Sequence, residues 1–315
     1  MNFRFTLLGL VLLALGGTAG AQTPGAGANA GQSRDITQST TLGPPLTPGL
    51  HELFSLGSRW QPDVEWDTGG RARVNRENLA VGLGYFQSPT LQYGLVFDHE
   101  ISRYEYDGAA VDPMWRAQPG EMRVERVSAT LRRPLDSSWS LYAAVDGNWS
   151  LARGASYADA FTWGGMAGAR DQVATNFAFT IGLFAHTRLD AGLRVLPIPG
   201  LEWRINDDWK LATAQGLTLT RTFNRHWQAD FAVLVENREY RMPAEQPFGS
   251  GVLRDRSVPL VTTLRWAPIP GMFAQLSAGV SPWQEQRLTD RADAPDLTEQ
   301  SHWSPSLAFA AGLRF

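Results

Sequence analysis

The chain has 315 residues, with 28 basic and 31 acidic side chains and a net charge of -3. That balance offers no basic face for nucleic acid, and the absence of cysteine removes disulfides, thiolate metal sites and cysteine nucleophiles together. Charged residues are only 19% of the total, below the roughly 25% of average soluble domains, while 12 Trp, 15 Phe and 7 Tyr make the chain rich in aromatics.

The N-terminus has the order of a secretory signal. Arg4 supplies a positive charge, an apolar run covers Leu7 to Leu15, and small residues lead into Ala19-Gly20-Ala21. Cleavage is expected after Ala21, which makes residues 1–21 a signal peptide. The apolar run is too short for a membrane anchor, and no later stretch reads as a transmembrane helix. Residues 22–50 are dominated by Gly, Ala, Pro, Ser and Thr. Such a segment cannot bury enough surface to order itself, so it is expected to be a disordered periplasmic leader.

From residue 51 to residue 315 the texture is period-two alternation, interrupted by turn signals. Leu79, Val81, Leu83 and Tyr85 alternate with Ala80, Gly82 and Gly84. Trp227, Phe231, Val233 and Val235 oppose Gln228, Asp230, Glu236 and Arg238. A soluble sandwich would show the same alternation. Two features favour a membrane barrel instead. Trp60, Trp139, Trp149, Trp203, Trp209, Trp227 and Trp266 stand at the ends of apolar faces, as interfacial girdles do. The segments also run to about 10 to 15 residues, longer than strands of soluble sheets.

The expected fold class is therefore all-β, a transmembrane antiparallel up-and-down β-barrel. Twelve strands are expected, with 10 to 14 possible, near 51–62, 74–86, 91–104, 121–133, 138–149, 175–186, 192–205, 209–221, 226–240, 256–267, 272–284 and 304–315. Connections at 87–90, 134–137, 187–191, 222–225 and 268–271 are short and are assigned to the periplasmic side. Those at 105–120, 150–174, 241–255 and 285–303 are long and are assigned outside. The short "NDD" at 206–208 breaks this alternation, and "PIPG" at 197–200 places prolines inside an expected strand.

The chain ends on an alternating run, Leu307, Phe309, Ala311, Leu313 and Phe315. A barrel needs this, because its last strand pairs with its first and satisfies every backbone group in the hydrocarbon. Leu313 and Phe315 also resemble the C-terminal assembly signal of bacterial outer-membrane barrels, with Ala310 where a Gly is common. The segment "VLPIPGLEWRINDDWKLATAQGLTLTRTFNRHWQADFAVLVENREYRM", residues 195–242, resembles a bacterial domain-of-unknown-function family of outer-membrane barrels. Pro197, Gly200, Leu201, Trp209, Leu211 and Tyr240 carry the pattern; "TAQG" stands where the family often has a Pro. The resemblance implies a closed barrel and assigns no activity.

With the apolar faces toward lipid, the lumen is expected to be lined by Arg59, Asp98, Glu100, Arg126, Arg132, Asp146, Arg194, Glu202, Arg204, Lys210, Asp230, Glu236, Arg238, Arg265 and Arg314. Mixed signs suit either a paired network filling the barrel or a polar constriction. The leading expectation is a narrow, porin-like outer-membrane channel for small polar solutes. The alternative is a plugged structural or surface-binding barrel acting through its outer loops, where Trp115, Tyr157, Phe161 and Trp163 would be contact residues. The weakest is a lipid hydrolase using His302 and Ser304, read as sharing one face. No catalytic residue, metal or cofactor is assigned. The expected partners are outer-membrane lipid, the barrel-assembly machinery, and small polar solutes or surface ligands, with no nucleic acid.

Overall fold

A strand that is apolar on one face and polar on the other must hide both kinds of face from the wrong solvent, and this chain does so by closing its sheet on itself. The computed structural model describes residues 49–87, 91–109, 111–118, 120–213, 216–245, 249–289 and 296–314. The expected signal peptide, most of the expected leader and Phe315 lie outside the described residues; Gly49 and Leu50, read as leader, already belong to the first strand. The strands are β1 (Gly49–Glu65), β2 (Arg71–Gln87), β3 (Leu91–Asp107), β4 (Glu121–Pro134), β5 (Trp139–Ala152), β6 (Phe161–Ala174), β7 (Phe177–His186), β8 (Arg194–Arg204), β9 (Trp209–Ala212) and β10 (Leu217–Thr222). Four more are each interrupted once: β11 (Trp227–Val233 and Glu236–Arg241), β12 (Val252–Ser257 and Leu260–Trp266), β13 (Met272–Ser281 and Gln284–Thr289) and β14 (Leu297–Ser301 and Ser304–Arg314). Among the described residues a single short helix, α1 (Pro113–Arg116), sits between β3 and β4. Antiparallel pairing of β14 with β1, from Leu53↔Arg314 to Trp60↔Leu307, closes the barrel.

The barrel has 14 strands, against the twelve expected. One addition is β6, which lies inside the supposed outer loop 150–174. Its sequence, "FTWGGMAGARDQVA", places small residues on both faces, so the apolar–polar contrast that marks a strand is faint. The other is the expected strand 209–221, which is in fact the hairpin of β9 and β10. Inserting β6 reverses the direction of β7 and β8. The connection 187–193 is therefore an outer loop and 205–208 a periplasmic turn, which removes the anomaly of the short "NDD".

Three periplasmic turns use one device. In "LDSSW", "INDDW" and "FNRHW" the side chains of Asp136, Asn206 and Asn224 accept hydrogen bonds from the backbone N–H groups two and three positions further along the chain. The strand then starts at Trp139, Trp209 or Trp227. These are Asx-type turns, in which a short polar side chain replaces a missing backbone partner. Asn224→Ala is expected to cost about 1 kcal/mol, read as a lower midpoint of urea unfolding in micelles. At Asp136 the N–H groups of Trp139 and Ser138 hold the carboxyl below its ordinary pKa. Its contribution is full above the ordinary carboxylate pKa and is lost as pH falls through the lowered one. Asp136→Asn should flatten that part of the acid-unfolding curve.

The membrane band is visible from its edges. Trp139, Trp209, Trp227 and Trp266 mark the periplasmic side, the last two with stacked rings 6.1 Å apart. Trp60, Trp149, Phe161, Trp163 and Trp303 mark the outer side. Ten residue steps separate Trp139 from Trp149 on β5; at about 3.3 Å per step and a tilt of about 40° they climb about 25 Å. Outward residues in between are apolar and exposed, Val145 at 62% and Leu276 at 60%, as lipid contact requires. Farther out on β1–β4 the outward positions switch to charge. Arg73 pairs with Asp63, Arg103 with Glu77 and Arg123 with Glu121, each at 2.8 Å. These strands project beyond the membrane.

The interruptions of β11–β14 lie at 234–235, 258–259, 282–283 and 302–303. Pro259 and Pro282 lack an N–H for the ladder, and Trp303 has a φ of 58°. Beyond these breaks the outer segments pair with one another and lean across the mouth. The tip of β11 meets β5 in a parallel bridge, Arg241↔Leu151, and Ser301 of β14 bridges to Trp66 after β1. A smaller ring thus forms above the membrane from β1–β5 and these four segments, leaving β6–β10 outside it. Its interior is an apolar core that includes Trp66, Val74, Tyr104, Trp115, Met122, Tyr240, Leu253 and Leu288.

Candidate functional site: a sealed outer mouth above a one-sided lumen

The outer segment of β11, Glu236–Arg241, crosses the mouth, and alternate side chains feed two separate ion networks. On the face turned to β1–β3, Glu236 accepts from Arg59 at 2.7 Å and from Arg238 at 2.8 Å. Arg238 also donates to Glu100 at 3.2 Å, and Ser102 donates to the same carboxylate at 2.9 Å. Beside them Arg76 donates to Asp255 at 2.6 Å, Tyr104 adds a bond at 2.8 Å and Gln284 one at 3.0 Å. Three arginines meet three carboxylates, and apart from Arg59, at 13%, their side chains are at most 6% exposed. Charges so dehydrated persist only when paired and hydrogen-bonded. The apolar core lies next to this layer through Tyr104 and Tyr240, which belong to both.

The opposite face of the same segment is closed by the outer loop 187–193. Arg188 reaches Glu239 at 2.6 Å and Asp190 at 2.9 Å, while Arg254 pairs with Glu239 at 3.1 Å and with Asp190. Arg241 donates to the carbonyls of Asp159 at 3.0 Å and Ser250 at 2.6 Å, and to that of Leu189. Both sides of the mouth are therefore held shut by buried polar contacts.

Below this seal the interior is uneven. Inward residues of β1, β2 and β11–β14 are largely buried against one another, including His51, Ser55, Ala80, Gln228, Ser277 and Ala310. Inward residues of β4–β9 are mostly half-buried, including Arg126, Thr130, Arg132, Tyr142, Met166 and Arg170. Toward the periplasmic end, Glu202 faces inward yet keeps 44% of its side chain exposed, with Lys210 at 2.8 Å and Arg170 at 3.8 Å. Water-accessible space thus runs along the inner wall of β4–β9. Glycines shape this wall. A Cβ at Gly168 or Gly182 would collide with the hydroxyl of Tyr142, which lies across β6 and β7. Gly182→Val is expected to destabilise the barrel by about 1–3 kcal/mol through overpacking, measured as a lower thermal midpoint in detergent.

Among the residues the sequence suggested for the lumen, Arg59, Glu100, Glu236 and Arg238 belong to the outer network. Asp98, standing opposite Arg126, lies on the inner face with Arg132, Asp146, Arg194, Glu202 and Lys210. Asp230 is buried and accepts from Thr220 and Gln228 at 2.7 Å. Arg265 is buried beside Gln275 at 3.2 Å, and Arg314 is half-buried at the end of β14 next to Leu313. Arg204 is exposed at the periplasmic rim and does not line the lumen. The sequence reading omitted Arg76 and Asp255. The parity of β2 already points Arg76 inward, whereas Asp255 fell in a segment taken as loop 241–255.

His302 and Ser304 do not share a face. The left-handed backbone at Trp303 breaks the alternation, so His302 is exposed near Asp67 while Ser304 is buried against Ser301 at 3.1 Å. No hydrolytic pair is formed there. The aromatics expected as outer contact residues are also placed otherwise. Trp115 is fully buried, and Phe161 and Trp163 are girdle residues of β6, which leaves Tyr157, whose hydroxyl bonds Glu125 at 3.1 Å.

Fold and interior define a closed antiparallel transmembrane barrel, channel-like below and sealed above. A family model described as "Domain of unknown function (DUF6268)" matches residues 116–315, and the chain belongs to that family. No curated protein matches the chain. Similar solved structures include an outer membrane channel from Pseudomonas putida F1, at 11% identity over 88% of this chain and 99% of that one, with a TM-score of 0.46. The P. putida toluene transporter TodX shows 10% identity over 86% and 91%, with a TM-score of 0.46. The Ralstonia pickettii toluene transporter TbuX shows 13% identity over 86% and 90%, with a TM-score of 0.44.

Proposed function

We propose that the protein is an outer-membrane channel-like barrel whose lumen is entered from the periplasm along β4–β9 and is closed toward the outside. One observation carries this: inward side chains on β4–β9 stay water-accessible while both faces of the β11 outer segment are locked in dehydrated ion networks. The polar lower wall, with Arg132, Arg170, Glu202 and Lys210, suits small solutes bearing a polar or charged group. The apolar belt and its two girdles suit contact with outer-membrane lipid, and the final strand, with Leu313, would engage the assembly machinery.

The absence of native cysteine makes the test clean. Glu202→Cys in intact cells should resist a membrane-impermeant maleimide added outside and react once the periplasm is opened. Wild-type protein in a planar bilayer should give no sustained conductance steps. Rapid labelling from outside, or large steady steps from the wild type, would overturn the proposal.

A further inference from the structure

An arginine stands on the lipid side of the barrel, inside the periplasmic girdle. On β10 Thr220 turns inward and donates to Asp230, so Arg221 turns outward with Leu217 and Leu219, and it is exposed. Across the sheet Arg221 shares a row with Ala229 and Leu264, two residues deeper than the girdle row of Trp227 and Trp266. At about 3.3 Å per residue and a tilt of about 40° this is about 5 Å inside the belt. An arginine at that depth can still reach the headgroup level with its charged end.

Two aromatic rings hold the guanidinium in place. Its central carbon lies 5.3 Å from the ring centre of Trp209, the residue opposite on β9, and 4.9 Å from that of Phe223, two positions along the chain. Such contacts occupy the flat faces of the ion and leave its fork of N–H donors at the rim. Among the described residues no carboxylate pairs with Arg221. A cation set at phosphate level, with its donors unspent, calls for an anion.

Toward the middle of the bilayer the same wall is hollow. A cleft of about 620 Å³ lies on the lipid side of β10–β13, within the roughly 300–1,000 Å³ of small-ligand sites. Its floor is Thr262 and Ala278, neighbours in one row between the larger Phe231 and Leu307. Leu219 forms its edge two residues from Arg221, and Leu217 lies two further on. Charge and cleft are therefore in line, with the far end about 10 Å deeper than the arginine. That order fits a lipid of the periplasmic leaflet. A lipid of the outer leaflet would bring its charged group to the opposite end of the cleft.

We propose that this is a binding site for a phospholipid of the periplasmic leaflet. Its phosphate accepts from the N–H groups of Arg221, and one acyl chain lies over Thr262 and Ala278. Charge-assisted bonds to the phosphate favour this lipid over an uncharged one with the same chains by about tenfold. The lipid is then a fixed part of the wall and does not exchange with its neighbours as the rest of the belt does.

The test uses the full-length barrel in phospholipid vesicles, with folding checked by heat-modifiable gel mobility. Bimane at Leu264→Cys, in the row of Arg221 and two residues from Thr262, reports quenching by lipids spin-labelled on the acyl chain. Labelled phosphatidylglycerol should quench at about tenfold lower mole fraction than labelled diacylglycerol. At Ile181→Cys, which faces lipid on β7 at 59% exposure, the two should quench alike. Arg221→Gln, which removes the charge, and Ala278→Phe, which fills the cleft, should each abolish the difference at Leu264→Cys. Full preference in either folded variant, or an equal preference at Ile181→Cys, would overturn the site. So would a dimer in detergent that Ala278→Phe dissociates, since a second copy of the chain would then fill the cleft.

Discussion

Arg238→Ala should lower the stability of the folded barrel by about 3–5 kcal/mol, the cost of removing one partner from a buried ion network. Arg238 donates to both Glu236 and Glu100, and the three side chains are at most 6% exposed. Without it, Glu236 retains Arg59 and Ser257, and Glu100 retains Ser102. Two carboxylates would then share too little positive charge in a place water does not reach. Urea unfolding in detergent micelles, monitored by tryptophan fluorescence, measures the loss. Arg238→Met combined with Glu100→Gln should recover most of it, because volume is kept, the carboxylate left without an arginine is neutralised and Glu236 keeps Arg59. A loss that persists in the double variant would assign the effect to packing instead.

Trp115→Ala should cost a similar amount, about 3–5 kcal/mol, for a different reason. Trp115 has no exposed surface and packs edge-on against Trp66 at 5.2 Å and tilted against Tyr106 at 5.5 Å within the outer core. Its short helix is held by Asp112, which accepts from the N–H of Met114 at 2.8 Å, and by Pro113 at the helix start. Emptying this site should free the β3–β4 connection to proteases added to intact cells while the membrane-embedded part stays folded. An intact, protease-resistant connection in the variant would show that the outer core does not depend on the indole. A loop tryptophan kept for surface contact would give the opposite result, since its loss would leave stability untouched.

The two cases show where sequence reading works. Parity alone pointed Arg59, Glu100, Glu236 and Arg238 inward, because neighbouring side chains of a strand cannot face the same way. Parity could not say that they meet, since Arg59 and Glu236 lie 177 positions apart. Trp115 lay in a connection, and nothing local distinguishes a tryptophan that will be covered from one left in water. Strand β6 was missed because Gly165, Ala167 and Ala169 occupy its central outward positions and mute the contrast. Once it was missed, the connections at either end of β8 were assigned to the wrong sides of the membrane, while the faces of the strands were still read correctly.

The sequence by itself determined the class of protein. Alternation, girdle aromatics and a last strand patterned to its end are local properties, and a bilayer admits few ways to satisfy them. Tertiary structure alone decided that the barrel is shut above and that its inner wall is buried on one side and water-accessible on the other. Both depend on contacts between residues far apart in the chain, such as Arg59 with Glu236 and Arg188 with Glu239, which no local pattern encodes.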